Sequence, residues 1–305
     1  MPLSVRHLVS SHDLTRNDVE IVLAEAARMK QVLINGGDDR LKSKILASLF
    51  YEPSTRTRLS FETAMLRLGG QVVTAEGLQF SSMYKGESIE DTMRMAGQYA
   101  DVICMRHPEQ GSALRAATAS PVPFLNAGDG PGEHPTQALL DLFTIQSECG
   151  RTENITFAAV GDLKFGRTIH SGSLLLSLFP GVKFIFISPS ELAMPREIID
   201  VLKQRGCEIV ESEHLHDGLE SDVLYMTRVQ SERFSDPAVY ERYRDAYILT
   251  ADLLRGRKTV VMHPLPRLRE ISLDIDALPN AAYFRQAGNG VPVRMALLAL
   301  LLGVV

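Results

Sequence analysis

Ile45-Leu46-Ala47-Ser48-Leu49-Phe50-Tyr51-Glu52-Pro53-Ser54-Thr55-Arg56-Thr57-Arg58 is an apolar run that breaks at a proline and resumes as a start rich in hydroxyls and arginine. From Arg56 to Leu68 apolar residues recur at helical spacing, and Gly69-Gly70 ends the pattern. The segment therefore reads as a strand leading into an amphipathic helix. The first turn of such a helix carries backbone N–H groups without intrahelical partners and the positive end of the helix dipole. Hydroxyls and a guanidinium placed there make a phosphate cradle. Taken alone, the same residues also read as a capped helix with a solvated arginine, because Ser and Thr are ordinary N-caps. The remainder of the chain has to choose between the two.

Outward from this segment the strand-then-helix alternation continues. Strand-like runs are Ile45–Phe50, Gln71–Thr74, Val102–Met105, Pro123–Asn126, Ile155–Val160, Lys183–Ile187, Glu208–Val210, Val223–Met226 and Thr259–Met262. Helix-like stretches between them include Arg56–Leu68, Ile89–Tyr99, Thr136–Cys149, Thr168–Phe179, Pro195–Arg205 and Val291–Leu302. Such alternation predicts an α/β fold of two doubly wound domains, each a mainly parallel sheet flanked by helices. The polar turn Cys149–Asn154 marks a boundary, and Gln286-Ala287-Gly288-Asn289-Gly290 reads as a glycine-rich crossing from which a last helix returns. The expected domains are residues 1–150 plus 288–305, and residues 151–287.

Composition limits the partners. The 305 residues are 45% hydrophobic and 23% charged, and 32 basic against 37 acidic residues leave a net charge of −5. Nothing global recruits nucleic acid or an anionic membrane, so any anion site must be local. Three cysteines, Cys104, Cys149 and Cys207, lie in apolar contexts that suit reduced thiols and a cytoplasmic location. Met1 to Asn17 lacks the continuous apolar core of a signal peptide, and the apolar stretch Met295–Val305 is too short to span a bilayer.

In open α/β sheets ligand sites gather beyond the carboxyl ends of the strands. Polar clusters fall at such ends here: Arg106-His107, His134-Pro135-Thr136-Gln137, Gly161 through Arg167, Thr227-Arg228-Val229-Gln230, and His263-Pro264-Leu265-Pro266-Arg267. Together they predict one convergent site.

These residues carry a family resemblance. Phe50 through Glu62 resembles the carbamoyl-phosphate-binding segment of the aspartate and ornithine carbamoyltransferases. Met105-Arg106-His107-Pro108, Asn126-Ala127-Gly128-Asp129-Gly130, His134-Pro135-Thr136-Gln137, Val160 through Thr168, Tyr225 through Gln230, Met262 through Arg267 and Gln286 through Gly290 continue it in order. The implied reaction moves the carbamoyl group of carbamoyl phosphate to the amino group of L-aspartate, giving N-carbamoyl-L-aspartate and phosphate, an early step of de novo pyrimidine biosynthesis. No cofactor and no metal is implied. A site for a dianion and a dicarboxylate needs concentrated cationic and N–H donors, which arginine supplies best.

By that resemblance Ser54, Thr55, Arg56 and Thr57 hold the phosphate, while Arg106, His134 and Gln137 surround the carbamoyl end. Arg56, Thr57, Arg106 and His134 form the implied catalytic set. Arg167, Arg228 and Gln230 meet the carboxylates of aspartate, and the Leu265 and Pro266 carbonyls meet its amino group or the carbamoyl amide. Ser81 and Lys85, in a polar loop, are implied to reach the site of a neighbouring subunit, with Lys85 also near aspartate, which implies a homotrimer with shared sites. Glu52, Glu232 and Arg233 match positions that link the domains when substrates bind, and Ser231–Tyr247 reads as a mobile loop. Regulatory chains are a further implied partner; nucleic acid and membrane are not.

Other readings fit less well. The ornithine branch carries cysteine where this chain has Pro264, and Arg228 with Gln230 suits an anionic acceptor. An inactive paralogue is expected to lose Arg56, Arg106, His134, Arg167 or Arg228, and all five are present. Ala159-Val160-Gly161-Asp162 lacks the Gly-x-Gly-x-x-Gly spacing of a dinucleotide site, and no Cys/His set has metal-ligand spacing.

Overall fold

The computed structural model describes residues 3–229 and 237–304. The chain divides into two compact units, Met1–Phe143 with Asn289–Val305, and Thr144–Gly288. Among the described residues no helix is long and apolar enough to cross a membrane.

In the first unit β1 (Ile45–Phe50), β2 (Gln71–Glu76), β3 (Val102–His107) and β4 (Phe124–Asp129) form a parallel sheet of order β2-β1-β3-β4. The middle strands are buried along nearly their whole length, as expected of a parallel sheet covered on both faces, whereas β2 at the edge is largely exposed. Helices α1 (Arg16–Ile34), α2 (Thr55–Arg67), α3 (Ile89–Ala96) and α4 (Ser112–Ala119) belong to this unit. One core cluster joins Ala47, Leu49 and Tyr51 to Ile103, Met105, Met93 and Phe124. Each leucine, isoleucine, methionine or phenylalanine among them contributes about 1.5–3 kcal/mol on full burial. Helices α5 (Pro135–Cys149) and α9 (Tyr283–Leu301) each contribute residues to both units.

In the second unit β5 (Thr156–Val160), β6 (Lys183–Ile187), β7 (Glu208–Ser212), β8 (Val223–Met226) and β9 (Val260–Met262) form a parallel sheet of order β7-β6-β5-β8-β9. Strand periodicity sorts its faces. Phe157, Phe184, Phe186 and Tyr225 meet on one side, with ring centroids 5.5–6.0 Å apart. Ala158, Val160, Ile185, Ile187, Leu224 and Met226 form the core on the other. Helices α6 (Arg167–Leu176), α7 (Arg196–Gln204) and α8 (Pro237–Tyr243) complete the unit.

Three sequence expectations are corrected. Arg106 and His107 lie in β3 itself, paired beside β1 through Phe50 and Arg106, instead of following the strand. Within Ser231–Tyr247, read as a loop, Pro237–Tyr243 is helical, with proline at the position that needs no N–H, while residues 231–236 lie outside the described residues. The glycine-rich run Gln286–Gly290 is the crossing between the units, at Gly288 to Asn289, but it is helical, the second turn of α9, instead of a break before the last helix. Tertiary contacts outweigh its low helix propensity: Gln286 Oε1 accepts the His263 N–H at 2.8 Å, and a Cβ on Gly290 would lie 2.4 Å from an Arg294 guanidinium nitrogen.

Candidate active site

In the first sheet β1 is followed by β2 on one side and β3 on the other, so the winding reverses between β1 and β3. This switch point opens a crevice beyond the strand ends, and the segments carrying Glu52 to Arg56 and Arg106 emerge there. The Tyr51 N–H donates to the Arg106 carbonyl at 2.8 Å, tying the two ends together.

Ser54 occupies the N-cap position of α2, extended at φ −158° and ψ 99°, and its hydroxyl makes no cap bond. Thr15 and Ser88, in the same position before α1 and α3, accept the N–H three residues on at 3.2 and 3.0 Å. The capped-helix reading of Ser54 therefore fails on geometry. Thr55 and Arg56 are exposed in this first turn, whereas Thr57 is buried, its Oγ1 3.4 Å from Nε2 of His134.

His134 is buried immediately before Pro135, the first residue of α5. Behind its ring Nδ1 lies 3.5 Å from Thr136 Oγ1, which accepts from an Arg294 guanidinium nitrogen at 3.3 Å. Arg294 is buried and stands 4.8 Å from the Phe61 ring centroid; desolvation lowers its pKa to about 10, which keeps it cationic at neutral pH. Arg106 pairs with Glu52 at 2.8 Å and reaches the Ala127 carbonyl at 3.4 Å. Gln137 donates to Asp141 at 2.9 Å. Ser81 and Lys85 make no bond to this set among the described residues: Ser81 donates to the Leu78 carbonyl at 2.9 Å, and Lys85 is exposed without an ion pair.

The second sheet reverses between β5 and β8. Register pairs Val160 with Met226, so the loops to Arg167 and Arg228 leave side by side. Gly161 makes this possible: at φ +119° it has no Cβ, and one would lie 2.3 Å from the Thr227 carbonyl oxygen. Thr227 closes the junction, its N–H and Oγ1 both donating to the Val160 carbonyl at 2.8 and 3.0 Å. Buried Asp162 accepts the Phe165 N–H at 3.0 Å, shaping the turn into α6, whose first residue is Arg167. Leu265 and Pro266 follow β9, the neighbour of β8. Gln230, Glu232 and Arg233 lie outside the described residues. Among the described residues no cluster of three or more His, Cys, Asp or Glu could hold a metal ion.

Sequence reading gave no role to Thr136, His263, Glu270 or Arg294. Arg294 alone carried a signal, a charge inside the apolar run that follows Gly290, which marks burial without naming a partner.

Two parallel sheets, each gathering cationic or hydroxyl groups beyond its switch point, define a two-unit α/β protein suited to small anionic molecules. Residues 6–147 match the family description "aspartate/ornithine carbamoyltransferase, carbamoyl-P binding domain", and residues 153–301 match "aspartate/ornithine carbamoyltransferase, Asp/Orn binding domain". The aspartate carbamoyltransferase catalytic subunit of Methanocaldococcus jannaschii is 50% identical over 296 residues, 96% of this chain and 97% of that protein. A crystal structure of the M. jannaschii catalytic subunit superposes with a TM-score of 0.93 at 50% identity, covering 98% of each chain. Trypanosoma cruzi aspartate transcarbamoylase, in complex with carbamoyl phosphate and aspartate, superposes with a TM-score of 0.90 at 40% identity, covering 96% of this chain and 95% of that one. This chain belongs to the aspartate/ornithine carbamoyltransferase family.

Proposed function

We infer that this chain is a carbamoyltransferase that moves the carbamoyl group of carbamoyl phosphate to the amino group of L-aspartate. The products are N-carbamoyl-L-aspartate and phosphate, an early step of de novo pyrimidine biosynthesis. The observation that carries the reading is the N-terminus of α2, where Ser54 occupies the cap position without capping and Thr57 meets His134. Relatives of 40–50% identity named for this reaction, one of them in complex with both substrates, support it.

In this reading Ser54, Thr55, Arg56 and Thr57 hold the phosphate, and Thr57, Arg106 and His134 polarise the carbamoyl carbonyl. The amine lone pair of aspartate attacks the carbamoyl carbon while the carbonyl electrons move onto oxygen. Collapse of the tetrahedral intermediate breaks the bond to phosphate, which leaves with the proton of the amine. Thr57 and His134 supply donors already in place for the oxyanion, and such preorganisation needs no reorientation during the step. An incoming dianion competes with Glu52 for Arg106, exchanging one charge-assisted pair for another. Arg167, Arg228 and Gln230 take the carboxylates of aspartate, and the Leu265 and Pro266 carbonyls accept from its amino group. Carbamoyl transfer assayed with each acceptor tests the assignment: aspartate is expected to be the faster, and faster carbamoylation of ornithine overturns it.

The assembly belongs to the same proposal. A homotrimer in which Ser81 and Lys85 serve a neighbouring subunit accounts for their making no bond to the Thr57–His134 group among the described residues. Hybrids of Arg56→Ala and Lys85→Ala chains are expected to regain activity, and no recovery despite proven exchange rejects sharing. Regulatory chains and a cytoplasmic location complete the proposal, checked by co-purification and by fractionation.

A further inference from the structure

Leu265 has φ +57°, in the left-handed region. A bulky side chain is a genuine outlier there and persists only where its surroundings over-determine it. Those surroundings are specific. The Leu265 N–H donates to His263 Nδ1 at 2.8 Å. An Nδ1 that accepts leaves the ring hydrogen on Nε2, which faces Glu270 Oε1 at 2.8 Å. Glu270 Oε1 also accepts the Leu268 N–H at 3.0 Å, and the backbone N–H of His263 is held by Gln286 at 2.8 Å. Both side chains of the pair are buried.

The charge states agree with this geometry. Burial pulls the His263 imidazole below its usual range against the pull of Glu270, and nearby Arg228 and Arg267 push the same way as burial. Burial alone raises the Glu270 carboxyl, but the bonds from His263 and the backbone bring it below the ordinary value. A protonated ring would turn an Nδ1–H against the Leu265 N–H, so the neutral tautomer is the one that fits. A buried polar pair is a costly way to fill space, since well-packed apolar residues often serve as well or better. What this pair does that apolar residues cannot is to accept one particular backbone N–H.

We propose that His263 is a positioning residue for the aspartate end of the reaction: its imidazole, oriented by Glu270, holds the Leu265 backbone and so aims the Leu265 and Pro266 carbonyls. The proposal rests on the reading of those carbonyls as contacts for the amino group of aspartate. Two isosteric variants separate the two ring nitrogens. His263→Asn keeps an acceptor where Nδ1 stands and gives up the Nε2 contact, and His263→Gln does the reverse. Crystal structures of both full-length variants, with saturation kinetics in each substrate, provide the test. The Asn variant is expected to keep Leu265 at positive φ and to hold the aspartate KM within about threefold of wild type. In the Gln variant Leu265 is expected to leave that region and the aspartate KM to rise about tenfold, with the carbamoyl phosphate KM unmoved. A Leu265 that keeps its conformation in the Gln variant overturns the proposal. A Leu265 that moves without any change in aspartate KM upholds the positioning and rejects the carbonyls as aspartate contacts. Should the Gln variant fail to fold, ring ¹⁵N shifts of wild-type His263 decide: hydrogen on Nε2 supports the proposal, and hydrogen on Nδ1 refutes it.

Discussion

Beyond β1 and β3 the gathered groups are side chains held by other side chains: Thr57 by His134, His134 by Thr136, Thr136 by Arg294, Arg106 by Glu52. Beyond β9 the object held is backbone: the Leu265 N–H rests on His263, and Glu270 braces the ring. Both sheets reverse their winding in the same manner and both present arginines, yet only the second adds, beyond β9, a braced turn of main chain. The difference follows from what each unit is read to receive. A phosphate and a developing oxyanion accept hydrogen bonds and need N–H, O–H and guanidinium groups, whereas an ammonium or amine donates and needs carbonyl oxygens. Side-chain donors can be placed one by one; carbonyl acceptors are aimed only by fixing the path of the chain.

Mutations that act on one region and spare the other test this contrast. The largest effect is expected from Arg56→Ala, which takes the charged donor from the exposed first turn of α2: kcat/KM should fall about 1000-fold while the melting temperature holds. His134→Ala removes the group paired with Thr57, and turnover at saturating substrates should fall about 100-fold. Retained turnover would remove His134 from the step.

Arg294→Met replaces a buried guanidinium with an apolar side chain. Because desolvation costs this guanidinium more than the nearby Asp141 carboxylate returns, thermal stability should hold or rise. The loss of the hydrogen bond to Thr136 should still lower kcat about tenfold through misplacement of His134. A parallel loss of stability and activity would make Arg294 a packing residue only.

The smallest effect separates the second unit by acid. The pKa of His263 is lowered on folding from an ordinary value of 6.5, so the native state refuses a proton that the unfolded chain accepts. Its contribution to stability is therefore complete above 6.5 and declines as the pH falls below that value, by at most about 1.4 kcal/mol per pH unit. His7 and His107 are lowered by burial and carry the same sign. The difference between wild type and His263→Gln, read as urea midpoint against pH, isolates His263. Equal slopes in the two proteins would show that the ring is not held neutral by the fold.

Much of the architecture was legible because it is locally encoded. Ile45–Phe50 and Lys183–Ile187 are apolar runs of strand length, and the helix that follows Pro53 declares itself by spacing. Apolar spacing leaves α1 and α4 unmarked, and Gly288 and Gly290 signal a break that puts the expected start of α9 eight residues after its actual one. Of the candidate site, the residue types were legible at every strand end, but their partners were not.

Periodicity and residue type, acting over a few residues, determined the strand–helix order, the doubly wound class and the anion-seeking groups beyond the strands. Only the tertiary structure decided that Ser54 leaves its helix uncapped, that Arg294 reaches Thr136 across 158 positions, and that His263 braces Leu265. A local pattern can state that a group is polar or apolar. Which group it meets is settled by burial, where a buried polar atom must find a partner and the packing of distant segments dictates which one is within reach.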